Sequence, residues 1–160
     1  MSQITFLAFN PKLKHHFTNI NREWITQMFR LEPIDVQVLE NPEEYIIQKG
    51  GYIWFAEHAS LGIIGTCALM KSSEGDFELT KMGVSNSARG LKVGEQLLQY
   101  VLAQAQAQPN IKRLYLLTNT ACEAAIHLYE KNGFVHDVGI MEEFGSHYER
   151  CNVAMLYTNL

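Results

Sequence analysis

The chain has 160 residues, 13 Lys plus Arg against 17 Asp plus Glu, and three cysteines. That length suits one domain, 1–160, with a substantial core, and the mildly acidic balance argues against nucleic acid as a partner. No run approaches the ~20 apolar residues that cross a bilayer, and Cys67, Cys122 and Cys151, widely spaced and without a CxxC, read as reduced thiols of a cytoplasmic protein.

In chain order, Ile4 to Phe9 predicts a strand stopped by Asn10-Pro11. Phe17, Ile20, Trp24, Ile25, Met28 and Phe29 recur at helical spacing and predict an amphipathic helix from His15 to Phe29. A shorter helical piece follows from Pro33 to Leu39, and Asn41-Pro42-Glu43-Glu44 has the cap, Pro and acidic first turn of a third helix. Tyr52 to Glu57, Leu61 to Lys71 and Phe77 to Val84 form three strands whose short connections imply antiparallel pairing. A helix from about Lys92 ends before Pro109, and Ile111 to Thr118 is a strand that this crossover makes parallel to its predecessor. Ala121 to Asn132 is a further helix stopped by Asn132-Gly133. Phe134 to Val138 resumes as a strand, Gly145 to His147 lies in a polar loop, and Cys151 to Tyr157 is a final strand.

The segment Glu78 to Gly94 concentrates the chemical signal. Phe77 and Leu79 occupy odd positions, whereas Met82 and Val84 occupy even ones, so the alternation slips between Thr80 and Gly83. Either a β-bulge inserts one residue or the strand ends early at its Gly turn. An Arg-Gly loop then leads into a helix N-terminus, whose free amides and dipole favour a phosphate. Gly94 is followed by Glu95-Gln96 instead of Lys-Ser/Thr, which excludes a nucleoside-triphosphate loop, and no GxGxxG is present for a dinucleotide.

Two segments carry a resemblance. Arg89-Gly90-Leu91-Lys92-Val93-Gly94 is similar to the phosphate loop of the GNAT superfamily of acyl-CoA-dependent N-acetyltransferases, with Lys92 where that pattern has its first Gly. Leu128-Tyr129-Glu130-Lys131-Asn132-Gly133-Phe134 resembles the same family's LYEKxGF segment. The resemblance covers roughly Tyr52 to Phe134. It implies an α/β fold with a mixed, mostly antiparallel sheet of about seven strands, one parallel βαβ pair and flanking helices. It also implies acetyl-CoA as donor, CoA as product, and a small-molecule or peptide amine as acceptor.

What the resemblance implies for the site is specific. Glu78, at the position of a frequent family base, takes the acceptor's proton directly or through water, and Tyr129 donates one to the departing thiolate. Amides of Met82, Gly83 and Val84 hold the pantetheine arm and polarise the thioester. The loop Arg89, Gly90, Leu91, Lys92, Val93, Gly94 and Glu95 holds the pyrophosphate. Cys122 stands where many members have a cofactor-binding Asn, and Asn119 is the substitute. The acceptor pocket draws on Trp24, Phe29, Glu78, Tyr148 and Arg150, the last as a carboxylate partner. Neither a metal set nor a base beside a cysteine is evident. A non-catalytic acyl-CoA-binding sensor is the rival reading, and the oligomeric state, homodimer included, stays open.

Overall fold

In the computed structural model, which describes residues 3–88 and 90–160, seven strands form one sheet. They are β1 (Ile4–Ala8), β2 (Tyr52–His58), β3 (Gly62–Ser73), β4 (Asp76–Val84), β5 (Arg113–Thr118), β6 (Phe134–His136) and β7 (Val153–Tyr157), in the spatial order β1-β2-β3-β4-β5-β7-β6. Every neighbouring pair is antiparallel except β4 and β5. Five α-helices flank the sheet: α1 (Lys14–Met28), α2 (Pro33–Glu40), α3 (Val93–Ala107), α4 (Glu123–Lys131) and α5 (Val138–Phe144). The parallel pair follows from α3, since a crossover helix returns the chain to the same end of the sheet.

Alternation along the strands divides the interior into two layers. Trp54 and Ala56 of β2 and Phe77 and Leu79 of β4 pack under Leu97, Val101 and Ala105 of α3. Ile53 and Phe55 face the other way, onto Phe17 and Ile25 of α1 and Val38 and Leu39 of α2. A smaller cluster joins Tyr115 and Ala154 to Ile140 and Phe144 of α5, with the Tyr115 and Phe144 rings stacked 4.2 Å apart. With both faces covered, the central strands carry unbroken buried runs, Ile53 to Ala56 in β2 and Phe77 to Lys81 in β4.

Three expectations change. The helix expected after Pro42 is a single π turn, Glu43–Ile47, closed by Gly51, where a Cβ would come within 2.5 Å of the Leu69 carbonyl. The strand expected to reach Val138 ends at His136, because Asp137 caps a new helix by accepting from the Ile140 amide at 2.9 Å. That helix, α5, was unexpected: its seven residues are too few to display a periodicity. The expected polar loop from Gly145 to His147 is a 3-10 turn.

Candidate active site

The slip in alternation is a β-bulge. Ala68 of β3 pairs with Thr80 and Thr66 with Gly83, so Cys67 alone opposes both Lys81 and Met82. Lys81 absorbs the extra residue with φ at 52°, a left-handed backbone that a side-chain-bearing residue adopts at a penalty. Because of the insertion, Phe77, Leu79, Met82 and Val84 all reach the α3 layer. On the opposite face Gly83 lies flat against Trp24, where a Cβ would meet the indole Cδ1 at 2.5 Å. The indole N–H donates to Asn21 Oδ1 at 2.9 Å, which fixes the ring.

The parallel pair opens next to this bulge. Its ladder covers only Asp76, Phe77 and Glu78 against Arg113, Leu114 and Tyr115, although β4 runs on to Val84 and β5 to Thr118. Beyond Glu78 the β5-facing edge of β4 therefore has no ladder partner. A cavity of about 310 Å³ fills the divergence. Thr80, Lys81 and Met82 line it from β4, Leu116 to Thr118 from β5 with Asn119 just after it, and Cys122 and Tyr129 from the α4 side; Trp24, Phe29, Tyr148 and Arg150 line it as well.

A buried charge network underlies part of this wall. Lys81, 4% exposed, donates to Asp35 Oδ1 at 3.0 Å and to the Tyr148 hydroxyl at 3.5 Å. Arg150 donates to Asp35 Oδ2 at 2.6 Å, to Asp35 Oδ1 at 2.9 Å and to Glu32 Oε2 at 3.1 Å. Burial pushes the Asp35 carboxyl up, but the Arg150 hydrogen bonds, the Lys81 charge and the Glu32 amide outweigh it and hold the group at about 2. Two cations thus meet two carboxylates, and the Tyr148 ring lies between them, 4.7 Å from Lys81 and 4.9 Å from Arg150.

Glu78 stands apart from this pairing. It is 1% exposed, is not among the residues lining the cavity, and its Oε1 has no hydrogen-bond partner. Burial raises its carboxyl to about 7, opposed by the Lys81 charge, by the Thr80 and Tyr148 hydroxyls and by Arg150. Tyr129 of α4 is 8% exposed and edge-on to Phe134 at 5.7 Å; burial, then the neighbouring Cys67 and Cys122, raise its phenol. Tyr129 lines the cavity and Glu78 does not.

At the cavity's β4 end, a 3-10 turn (Asn86–Ala88) leads to α3. Gly90 has φ at 82° and Lys92, which caps α3, has φ at 56°. The position where the sequence pattern calls for glycine is thus a left-handed one, held here by a lysine. The first-turn amides of Val93, Gly94 and Glu95 precede the first intrahelical bond of α3, made by the Gln96 amide to the Lys92 carbonyl at 3.3 Å. A Cβ on Gly94 would touch Leu128, Met82 and Val84 at ordinary contact distances, so Gly94 sits between β4 and α4. Leu91 is exposed, and Arg89 lies outside the described residues. Asn119 is engaged at both ends: its amide donates to the Arg150 carbonyl at 2.6 Å and its oxygen accepts from Ala121 at 2.8 Å.

Sequence reasoning passed over Glu32, Asp35, Lys81 and Tyr115. Asp35 stands in the first turn of α2 and accepts from the Glu32 amide at 2.9 Å. Its union with Lys81, 46 positions away, leaves no local mark. Lys81 did carry one signal: it is the cation inside the slip.

Residues 49–136 match the family model described as acetyltransferase (GNAT) domain, more than half of the chain. The chain belongs to the GNAT acetyltransferase family. Among solved structures similar to this GNAT chain, a GNAT-family acetyltransferase from Staphylococcus aureus Mu50 has 25% identity and a TM-score of 0.83, over 96% of this chain and 98% of that one. An acetyltransferase from Streptococcus agalactiae 2603 has 17% identity and a TM-score of 0.77, over 98% and 99%. The spermidine N-acetyltransferase of Vibrio cholerae in complex with CoA and spermine has 20% identity and a TM-score of 0.70, over 98% and 95%. No curated protein matches at a significant level. Family and fold together make the chain an acyl-CoA-dependent acetyltransferase. Among the described residues no helix is long and apolar enough to cross a membrane.

Proposed function

We propose that this GNAT enzyme transfers the acetyl group of acetyl-CoA to a primary amine by direct attack within a ternary complex. The observation that carries the reading is the opening of β4 from β5 beyond Glu78, with Tyr129 among the residues that line the cavity there. The thioester arm lies along the unpaired edge of β4, where Met82 to Val84 amides hold the pantetheine, and the pyrophosphate sits on the Gly90 to Glu95 segment. Arg89 and Asn119 are proposed as further cofactor contacts. Acetyl-CoA supplies the activated carbonyl, and the protein orients it.

The acceptor enters from the end walled by Trp24, Phe29 and Tyr148. An amine near the lysine reference value of ~10.4 is protonated at neutral pH and must lose a proton before it attacks. Glu78, whose carboxyl burial raises to about 7, is the base. Tyr129, whose phenol is held protonated by burial, gives its proton to the leaving thiolate. The acceptor class follows from charge. Lys81 and Arg150 are neutralised by Asp35 and Glu32, so this wall offers neither a free carboxylate for a polyamine nor a free guanidinium for a substrate carboxylate. An amine with an apolar or aromatic body matches it best.

Calorimetry with CoA and acetyl-CoA tests the cofactor reading, with Gly94→Ala and Gly94→Glu as paired variants. Gly94→Ala is expected to bind, because its Cβ meets only ordinary contacts, and Gly94→Glu to lose at least a hundredfold in affinity by directing a negative charge at the pyrophosphate. Thiol release with a panel of amines then ranks acceptors, and faster turnover of spermidine than of phenylalkylamines would refute the acceptor class.

A further inference from the structure

Two of the three thiols open onto the cavity. Cys67 is fully buried, whereas Cys122 and Cys151 are half-buried and both line the wall. Burial pushes the Cys151 thiol up to about 12, so it stays protonated near neutral pH and is a poor nucleophile. Cys122 is the N-cap of α4, and its side chain makes no capping bond. Its backbone is pinned on both sides: the amide donates to the Asn119 carbonyl at 2.9 Å, and the carbonyl accepts from the Ile126 amide at 3.0 Å. The sulfur is therefore held at a fixed place on the wall and left unengaged.

A second group points to what fills the space beside it. Tyr129 follows Cys122 by roughly two helical turns, so the two share one face of α4. Long side chains on a helix lean toward its N-terminus, which carries the Tyr129 ring back along the wall toward Cys122. Tyr129 is 8% exposed and lines the cavity, and its hydroxyl has no hydrogen-bond partner among the described residues. Such a hydroxyl costs free energy until a ligand satisfies it. On the proposed function that ligand is the sulfur end of the cofactor. The CoA thiol released by acetyl transfer then stands at Tyr129, on the same wall as an idle thiol of the protein.

We propose that Cys122 forms a mixed disulfide with the product CoA when hydrogen peroxide is present. The Cys122 thiolate attacks one peroxide oxygen, the O–O bond breaks, and a sulfenic acid forms while the other oxygen leaves as water. The CoA thiolate then attacks the oxidised sulfur. The S–O bond breaks, the S–S bond forms, and a second water carries off the hydroxyl and the thiol proton. Two thiols together lose two electrons, and one peroxide is reduced to two waters. A CoA already seated in the cavity meets the sulfenic acid at an effective concentration that no free thiol matches. The adduct tethers the pantetheine arm where acetyl-CoA must lie, so transfer stops until a thiol reductant reverses it. The inference rests on CoA occupying this cavity.

The test begins with calorimetry of CoA on the wild type, Cys122→Ser and Cys151→Ser. Each protein is then treated with hydrogen peroxide together with CoA, acetyl-CoA or glutathione at equal concentration, and read by intact mass and peptide mapping. One CoA per chain is expected on Cys122 in the wild type and in Cys151→Ser, and none in Cys122→Ser. Acetyl-CoA, whose sulfur is blocked, should add to no protein, and dithiothreitol should remove the CoA. Glutathione should add at least about tenfold more slowly, and Gly94→Glu should bring CoA down to the glutathione rate. Turnover after treatment should fall in proportion to the adduct in the wild type and stay at its own untreated value in Cys122→Ser. CoA that binds without adding, adds at another thiol, or adds no faster than glutathione would overturn the inference alone. CoA that does not bind would remove the cofactor reading, and the inference with it.

Discussion

Replacing Glu78 by Gln should make the protein more stable and nearly inactive. Burial raises the carboxyl from 4.5 to about 7 in the folded state, so the native protein binds a proton that the unfolded chain has already released. Wherever the folded state binds more protons, stability falls as pH rises. The penalty is absent below about pH 4.5, grows by up to ~1.4 kcal/mol per pH unit, and reaches about 3 kcal/mol above pH 7. Gln is close in shape and does not titrate. Urea unfolding of both proteins from pH 4 to 8 isolates the effect, because Asp35 and His16 contribute equally to each. The advantage of Glu78→Gln over wild type should widen by about 3 kcal/mol across that window, while kcat drops roughly 10²- to 10⁴-fold. A difference that stays constant with pH would refute the claim that Glu78 is a carboxylate held against its preference, and the argument for it as a base near neutrality would lose its ground.

Three further outcomes are expected. Tyr129→Phe should lose about 10²-fold in kcat with CoA affinity unchanged by calorimetry, since it removes a proton donor and keeps the ring against Phe134. Asp35→Asn should lower unfolding free energy by roughly 3 to 5 kcal/mol in urea melts, because Arg150 then keeps only Glu32 and the buried Lys81 loses its paired carboxylate. Gly83→Ala should destabilise by roughly 1 to 3 kcal/mol and shift Trp24 fluorescence, because the new Cβ would strike the indole at 2.5 Å.

Much of the architecture could be read along the chain because its causes are local. Seven strands follow from alternation and turn residues, and the single parallel pair follows from the crossover helix before Pro109. The bulge showed as a change of phase between Leu79 and Met82, since one inserted residue reverses every later side chain. The phosphate-loop and LYEKNGF segments pointed to the family for a similar reason: each is one continuous stretch whose residue types are set by a single local geometry. Short elements were lost where length hides periodicity, as in the five-residue π turn and the seven residues of α5.

The environment of the site came only from tertiary structure. Glu32 and Asp35 on one side and Arg150 on the other are separated by more than a hundred residues, and nothing in their own neighbourhoods distinguishes them from surface charges. The family resemblance implies Glu78 as a base, yet its burial, its unpartnered oxygen and its raised pKa depend on side chains from α2, β5 and the segment before β7. A sequence specifies which side chain a strand carries and which face it takes. The effective dielectric and the charges around that side chain are sums over the folded neighbourhood, and those decide whether a carboxyl is an ordinary acid or a base poised near neutral pH.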